Sequence, residues 1–351
     1  MIGKKVTVGL SGGVDSSVAA AILLEQGYEV YGVYLECYNE PGCRTDQDKK
    51  DALQVALKLG ISFEVLDFRR EYKEKVVEYF YLEYASGRTP NPDVMCNREI
   101  KFGIFYDWAV AHDFDYVATG HYARIVKKQG TEPCFLQRAR DESKDQSYFL
   151  WQIPQDHLKQ ILFPLGEMLK SEVRAKAKEL GLANAAKPDS MGICFIGEVN
   201  VDKLLHARLG EKEGEVVYLD RVIGKHKGLW FYTTGERGGF EIDKSIIKKM
   251  GLHPEKMEPL YVIGKDQAKN QLIVGVREET MTDTLKIEVA TFNSTTQTLW
   301  ARIRNLGELV EVEQIQKEQV KLKQKVFGVA AGQSVVFYDK EGILVGGSII
   351  V

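Results

Sequence analysis

The first 120 residues repeat one unit: a short apolar strand, a turn, then a helix. Lys5–Leu10 is a β-branched run, and after Ser11-Gly12-Gly13-Val14-Asp15-Ser16 an alanine-rich helical stretch runs from Ser17 to Gln26, with Gly27 as its stop. A second strand is expected over Glu29–Leu35 and a second helix from about Gln47 to Leu59, closed by Gly60. Phe63–Phe68 reads as a third strand, Glu71–Ala85 as a helix, and Tyr116–Thr119 as a further strand ending in Gly120-His121. Short strands joined by crossover helices predict an α/β fold with a parallel, doubly wound sheet. Such sheets take ligands at the carboxyl ends of their strands, which singles out the loops after Leu10, Leu35 and Thr119.

The rhythm then changes. A helix is expected at about Ser171–Leu180 with its stop at Gly181. Beyond residue 200 glycines become frequent and strands short, with one helical stretch near Lys244–Gly251. From about Asp283 to Val351 the pattern is period-two strand, including QVKLKQKV and QSVVFYDKEGILVGG. Three units are expected: an α/β domain over 1–200, a small mixed domain over 201–280 and a small β-barrel over 281–351.

A chain of 351 residues can bury a sizeable core without disulfides or a structural metal. Its 44% hydrophobic and 28% charged content excludes disordered and fibrous classes. No stretch approaches a membrane span, and MIGKKVTVGLSGG lacks a secretory core, so a cytosolic protein without a membrane partner is expected. The net charge of −3 means that any nucleic-acid binding must come from local patches. Cys37, Cys43, Cys96, Cys134 and Cys194 form no C-x-x-C pair, which argues against a zinc ribbon, and no metal ligand set is expected. Each is either a packing residue or a reactive thiol.

Gly9-Leu10-Ser11-Gly12-Gly13-Val14-Asp15-Ser16 stands where the first strand turns into the first helix. Glycines let backbone N–H groups approach a phosphate, and the helix N-terminus favours the anion. Ser11, Ser16 and Ser17 add hydroxyls, and Asp15 suits a magnesium ion. A Walker A loop would need a lysine that is missing here. The bland alternative is a glycine-rich turn that packs helix on strand. The loop resembles the pyrophosphatase-type ATP loop of enzymes that split ATP into AMP and pyrophosphate. That resemblance leaves open amide-forming synthetases, tRNA lysidine synthetase and tRNA thiolases.

In Arg88-Thr89-Pro90-Asn91-Pro92-Asp93-Val94-Met95-Cys96-Asn97 the two prolines predict an extended loop, with a helix starting near Asn97. Cys96 would then lie at a helix N-terminus, where the dipole favours the thiolate, with Asp93 as a nearby proton acceptor or donor. Cys194 lies in Asp189-Ser190-Met191-Gly192-Ile193-Cys194-Phe195-Ile196-Gly197; taken alone, a cysteine there is more often a buried structural residue than a reactive thiol.

Together, GLSGGVDS, GRTPNPDVMCN, ATGHY, KDQSYFL, DSMGICFIG, AGQSVVFY and VGGSII resemble, in order and over essentially the whole chain, the tRNA-specific 2-thiouridylases. The resemblance implies replacement of the C2 oxygen of the wobble uridine by sulfur, with ATP and Mg2+ as cofactors. A cysteine desulfurase or sulfur-relay protein would deliver the sulfur. It implies that Cys194 carries a persulfide, that Cys96 is the nucleophile, and that a transient Cys96–Cys194 disulfide follows turnover. Gly9 to Ser16, Leu35 and Gly120 would bind ATP. Asn91, Pro92 and Asp93 would surround the flipped uracil, and His121, Lys144, Asp145, Gln146, Arg304, Asn305 and Gln333 would contact tRNA. The sequence departs from the family pattern at Met191, in place of threonine, and at Asn305, in place of the tyrosine of an arginine–tyrosine pair. In the barrel, alternation puts Lys321, Lys323 and Lys325 on one strand face, and Arg302 with Arg304 on another. Such a face is either a track for tRNA phosphates or ordinary solvated surface.

Overall fold

The computed structural model describes residues 3–38, 45–127, 133–189, 200–292 and 298–351. Cys43, Met191 and Cys194 lie outside the described residues. No helix among the described residues is long and apolar enough to cross a membrane.

Six elements position the site: β1 (Lys5–Gly9), α1 (Val14–Glu25), β2 (Glu29–Glu36), α2 (Thr45–Leu59), β3 (Ser62–Asp67) and β4 (Tyr116–Ala118). The strands pair in the order β3-β2-β1-β4, all parallel, and Ile161–Leu162 extends the sheet beyond β4. The chain works outward from β1 to β3 and then returns to lay β4 on the other side of β1. The order therefore reverses between β1 and β4, and the crevice above their carboxyl ends is the expected ligand position. α1 closes as its sequence predicts. Gly27 adopts φ +84° and donates to Leu24 O at 2.9 Å, while Tyr28 N donates to Leu23 O at 3.1 Å. This paired capping needs a left-handed residue after the last turn, and Gly60 and Gly181 repeat it.

Two expectations change. The segment read as an extended loop is helical from Pro92, and the helix expected near Asn97 starts five residues earlier. Asn91 Oδ1 caps it by accepting from Val94 N at 3.3 Å, and Pro92 takes the first helical position, where no N–H is required. Helix Pro92–Cys96 continues through a wider turn, Asn97–Ile104, into Phe105–Ala111. Cys96 is thus at the far end of its short helix, beyond the first turn where the dipole acts. It is fully buried, in one core cluster with Leu35, Cys37, Ile100 and Phe105.

A five-stranded mixed sheet follows, in which Gly214–Tyr218 runs parallel to Gln271–Gly275 and the other pairs are antiparallel. Its core takes Phe80 from helix Glu78–Ala85 of the first domain. The third sheet has seven antiparallel strands between Met281 and Ile349, and a bridge between Ile287 and Ile350 draws it towards closure. Val336, Tyr338 and Leu344 of this barrel belong to the same core cluster as Cys96.

Arg302 corrects another expectation. It does not share a solvent face with Arg304; it is buried, and its guanidinium meets the fully buried carboxylate of Asp145 at 2.7 Å. Removing one partner of a buried ion pair leaves the other charge uncompensated, at a cost of about 3–5 kcal/mol. Arg302→Met is therefore expected to lower the urea midpoint of unfolding markedly, while Lys325→Met leaves it unchanged; equal midpoints would contradict this role. Lys321 and Lys323 do share a face, but each meets a carboxylate from a neighbouring strand, Asp283 at 2.8 Å and Glu311 at 2.5 Å. Two of the three lysines read onto that face, Lys321 and Lys323, are thus paired with carboxylates.

Candidate functional site

The loop after β1 folds back on its own hydroxyls. Ser11 N donates to Ser16 Oγ at 3.1 Å, Ser16 Oγ donates to Gly13 O at 3.2 Å, and Ser17 Oγ donates to Gly13 O at 2.8 Å. Among the described residues no side chain caps α1 at Gly13 or accepts from the N–H groups of its first turn, which point into the crevice. From the other side, Gly120 lies so close to α1 that a Cβ there would stand 2.6 Å from Ser16 N and 2.7 Å from Asp15 C. Only glycine allows this approach, which closes the crevice between β1 and β4 around the helix end. Leu35 completes it at the end of β2 and is buried. A glycine-lined, uncapped helix N-terminus at a switch point is an anion cradle.

Charges line the rim. Lys170 Nζ lies 2.7 and 2.8 Å from the two carboxylate oxygens of Asp15 and 2.8 Å from Asp189, while Tyr122 OH donates to Asp15 at 2.8 Å. Lys144 meets Asp189 at 2.7 Å, and Arg174 reaches both Asp189 and the backbone carbonyl of Ala185. Burial pushes the Asp189 carboxyl up, but hydrogen bonds from Lys144 and Lys170 outweigh it and hold the group well below the usual range. Lys187 donates to Gly12 O at 3.0 Å and pairs with Asp48 and Asp51 of α2. Asn184 donates to Gly12 O and Ser17 Oγ. The loop is thereby tied to the chain just before Ser190.

Lys144-Asp145-Gln146 spreads three ways. Lys144 turns to Asp189. Asp145 turns inward, where Ala139 N, Ser147 N and Arg302 donate to it. Gln146 accepts from Tyr122 N at 3.0 Å and donates its own N–H to Tyr122 O at 2.8 Å. A tRNA contact expected of Asp145 therefore cannot come from its carboxylate. His121 is also buried: Lys101 donates to Nε2 at 3.4 Å, so Nδ1–H donates to Thr119 Oγ1 at 2.7 Å. Burial, reinforced by the Lys101 charge, holds this histidine well below its usual range and keeps it neutral.

Asn91 is buried, Asp93 half-buried, and Cys96 lies on the same helix face three residues after Asp93. Gln333 comes in from the barrel and donates to Thr89 O at 2.9 Å and Pro90 O at 3.0 Å. Arg304 donates to Phe327 O, and Asn305 Oδ1 is buried with no hydrogen-bond partner among the described residues.

Three family models match along the chain: a tRNA methyl transferase HUP domain over residues 4–198, a tRNA methyl transferase PRC-barrel domain over 202–276 and an aminomethyltransferase beta-barrel domain over 281–350. Among curated relatives, a tRNA-specific 2-thiouridylase MnmA of Streptococcus pyogenes serotype M2 (strain MGAS10270) is 42% identical over 361 residues, covering 98% of this chain and 95% of the relative. The serotype M1 protein of the same description is 43% identical with the same coverage. The chain belongs to the tRNA-specific 2-thiouridylase family. A solved 4-thiouridine synthetase–RNA complex with bound ATP overlaps with a TM-score of 0.39 at 21% identity, over 56% of this chain and 46% of that one.

For a thiouridylase, the structure adds residues that motif reading alone had not assigned a role: Lys170, Arg174, Asn184 and Lys187. Asp189 opens the Cys194 motif and Lys187 lies two residues before it, and charges at that motif are the available signal. Lys170 and Arg174 sit on helix Lys170–Glu179, which the sequence marks only by its length and its glycine stop at Gly181, and nothing local marks the two side chains.

Proposed function

We propose that this thiouridylase replaces O2 of the wobble uridine in tRNA anticodons by sulfur while splitting ATP into AMP and pyrophosphate. The observation that carries this reading is identity to MnmA over nearly the full length, with both cysteine motifs present. A carbonyl oxygen is a poor leaving group. Attack of uridine O2 on the α-phosphate of ATP makes it an adenylate, expelling pyrophosphate, and AMP can then depart from C2.

Gly9 to Ser16 and the N-terminus of α1 hold the phosphates, with Leu35 and Gly120 against the nucleoside. The donor set suits magnesium, since Asp15 offers hard carboxylate oxygens beside the phosphates and Lys170 already marks a cation position there. Bound there, the ion would screen the phosphate charge against the attacking oxygen. The uracil cannot be reached while stacked, so it is flipped into the pocket of Asn91, Pro92 and Asp93. Lys144 and Arg304 meet tRNA phosphates, and Asn305, whose amide oxygen is buried, holds the turn that presents Arg304. His121, Asp145, Gln146 and Gln333 serve the same surface by holding its segments.

Sulfur arrives as a persulfide on Cys194 from a cysteine desulfurase or sulfur-relay protein. Cys96 thiolate either frees hydrosulfide from that persulfide or resolves a mixed disulfide with the product. Each route leaves a Cys96–Cys194 disulfide, which an outside dithiol reduces while itself becoming oxidised. The work is cytosolic, and the units 1–200, 201–280 and 281–351 share it. With tRNA, ATP and a persulfide donor, the purified protein should yield AMP and pyrophosphate in step with thiolated tRNA; ADP and phosphate as products would overturn the reading.

A further inference from the structure

Residues 86–91 join helix Glu78–Ala85 to helix Pro92–Cys96, and both other domains reach in to hold them. From the barrel, Ala331 O accepts from Thr89 N at 2.7 Å, in addition to the two bonds from Gln333. From the middle sheet, Lys265 Nζ donates to Gly87 O at 2.9 Å, and the hydroxyls of Thr233 and Thr89 lie 3.1 Å apart. Arg88 pairs back to Glu83 on the preceding helix. A six-residue connection is thus fixed from three directions just before the residues that take the uracil.

Lys265 is the costly member of this set. Burial pulls its ammonium down to about 8, with the charge of Glu236 only partly opposing. Among the described residues no carboxylate lies within ion-pair distance of it, so a backbone carbonyl is the partner for a mostly buried cation. A neutral donor could bond the same carbonyl without the desolvation cost of a charge. A charge-assisted bond is shorter and stronger, and holds its acceptor more firmly.

We propose that Lys265 of the middle domain is a positioning residue for thiolation, fixing Gly87 so that Asn91, Pro92, Asp93 and Cys96 meet the flipped uridine in register. This rests on the thiouridylase reading above, and it makes the middle domain part of the reacting geometry. Lys265 itself touches neither substrate nor sulfur. Its effect is carried by the direction in which the connection enters the Asn91-capped helix. A misplacement of about 1 Å near reacting groups can cost about a hundredfold in rate.

Lys265→Met and Lys265→Arg separate this role from a merely structural one. In single turnover with saturating tRNA and ATP, Lys265→Met should thiolate about ten- to a hundredfold more slowly, with half-saturating tRNA within about twofold of wild type. Lys265→Arg, which keeps the charge and the donor, should recover most of the rate. An unchanged rate, or a loss confined to tRNA half-saturation, would overturn the proposal. Amide hydrogen exchange without tRNA gives a second readout. In Lys265→Met, residues 86–96 should exchange about tenfold faster, while β1 and β4 keep their protection. Unchanged exchange overturns the positioning role whatever the substrate is. A loosened connection in a protein whose wild type thiolates no tRNA overturns the thiouridylase reading and leaves the clamp standing. Thr233→Val removes only the hydroxyl contact, and it should shift rate and exchange in the same direction by less; no shift would count against the clamp if Lys265→Met fails to fold.

Discussion

Cys96→Ser and Cys194→Ser should each reduce tRNA thiolation by at least about 10³-fold, since a hydroxyl neither carries a persulfide nor resolves one at neutral pH. The two losses should differ in kind. With sulfur-labelled donor, Cys194→Ser should remain unlabelled and Cys96→Ser should retain its label, because only the resolving thiol is missing. Both should still release pyrophosphate when tRNA and ATP are present, since adenylation precedes sulfur transfer. Cys37 and Cys134 are buried in the same core cluster as Cys96, where they fill volume. Their alanine variants should turn over near wild type and lose only about 1 kcal/mol of stability. Equal labelling of all the single variants would refute the division between the two thiols.

Asp15→Ala should abolish pyrophosphate release while tRNA affinity stays within about twofold of wild type, because phosphate cradle and RNA surface use different residues. The carboxylate stands at the first turn of α1 with Lys170 on both its oxygens. Removing it deletes the carboxylate proposed to hold magnesium and leaves Lys170 with Asp189 alone. Asp15 is partly exposed and at a helix start, so the fold should survive. Pyrophosphate at the wild-type rate in that variant would remove Asp15 from the site.

What the sequence made legible was local. Gly27, Gly60 and Gly181 mark helix ends because a left-handed residue is needed there, and the strand–loop–helix order already singles out the loop after Leu10 as a ligand position at the carboxyl end of a strand. The helix at Pro92 was missed although Asn91-Pro92-Asp93 contains a cap, a first-position proline and a first-turn acid. Two prolines close together read as extended chain, and the capping bond depends on a backbone turn that composition does not fix. Arg302 was misplaced for a different reason. Alternation assigned it a face, but the ion pair that buries it comes from Asp145, far away in the chain. Lys265 and Gly87 are likewise brought together only by the packing of separate domains. Long-range charge pairing leaves no periodic trace in a single sequence.

Replacement of oxygen by sulfur at C2 of the wobble uridine is tested most directly by mass analysis of nucleosides from tRNA of cells lacking the protein. The wobble uridines should lose the mass difference of one sulfur replacing one oxygen, and wild-type protein should restore it while Cys96→Ser does not. Wobble uridines that keep their sulfur in the absence of this protein would contradict it.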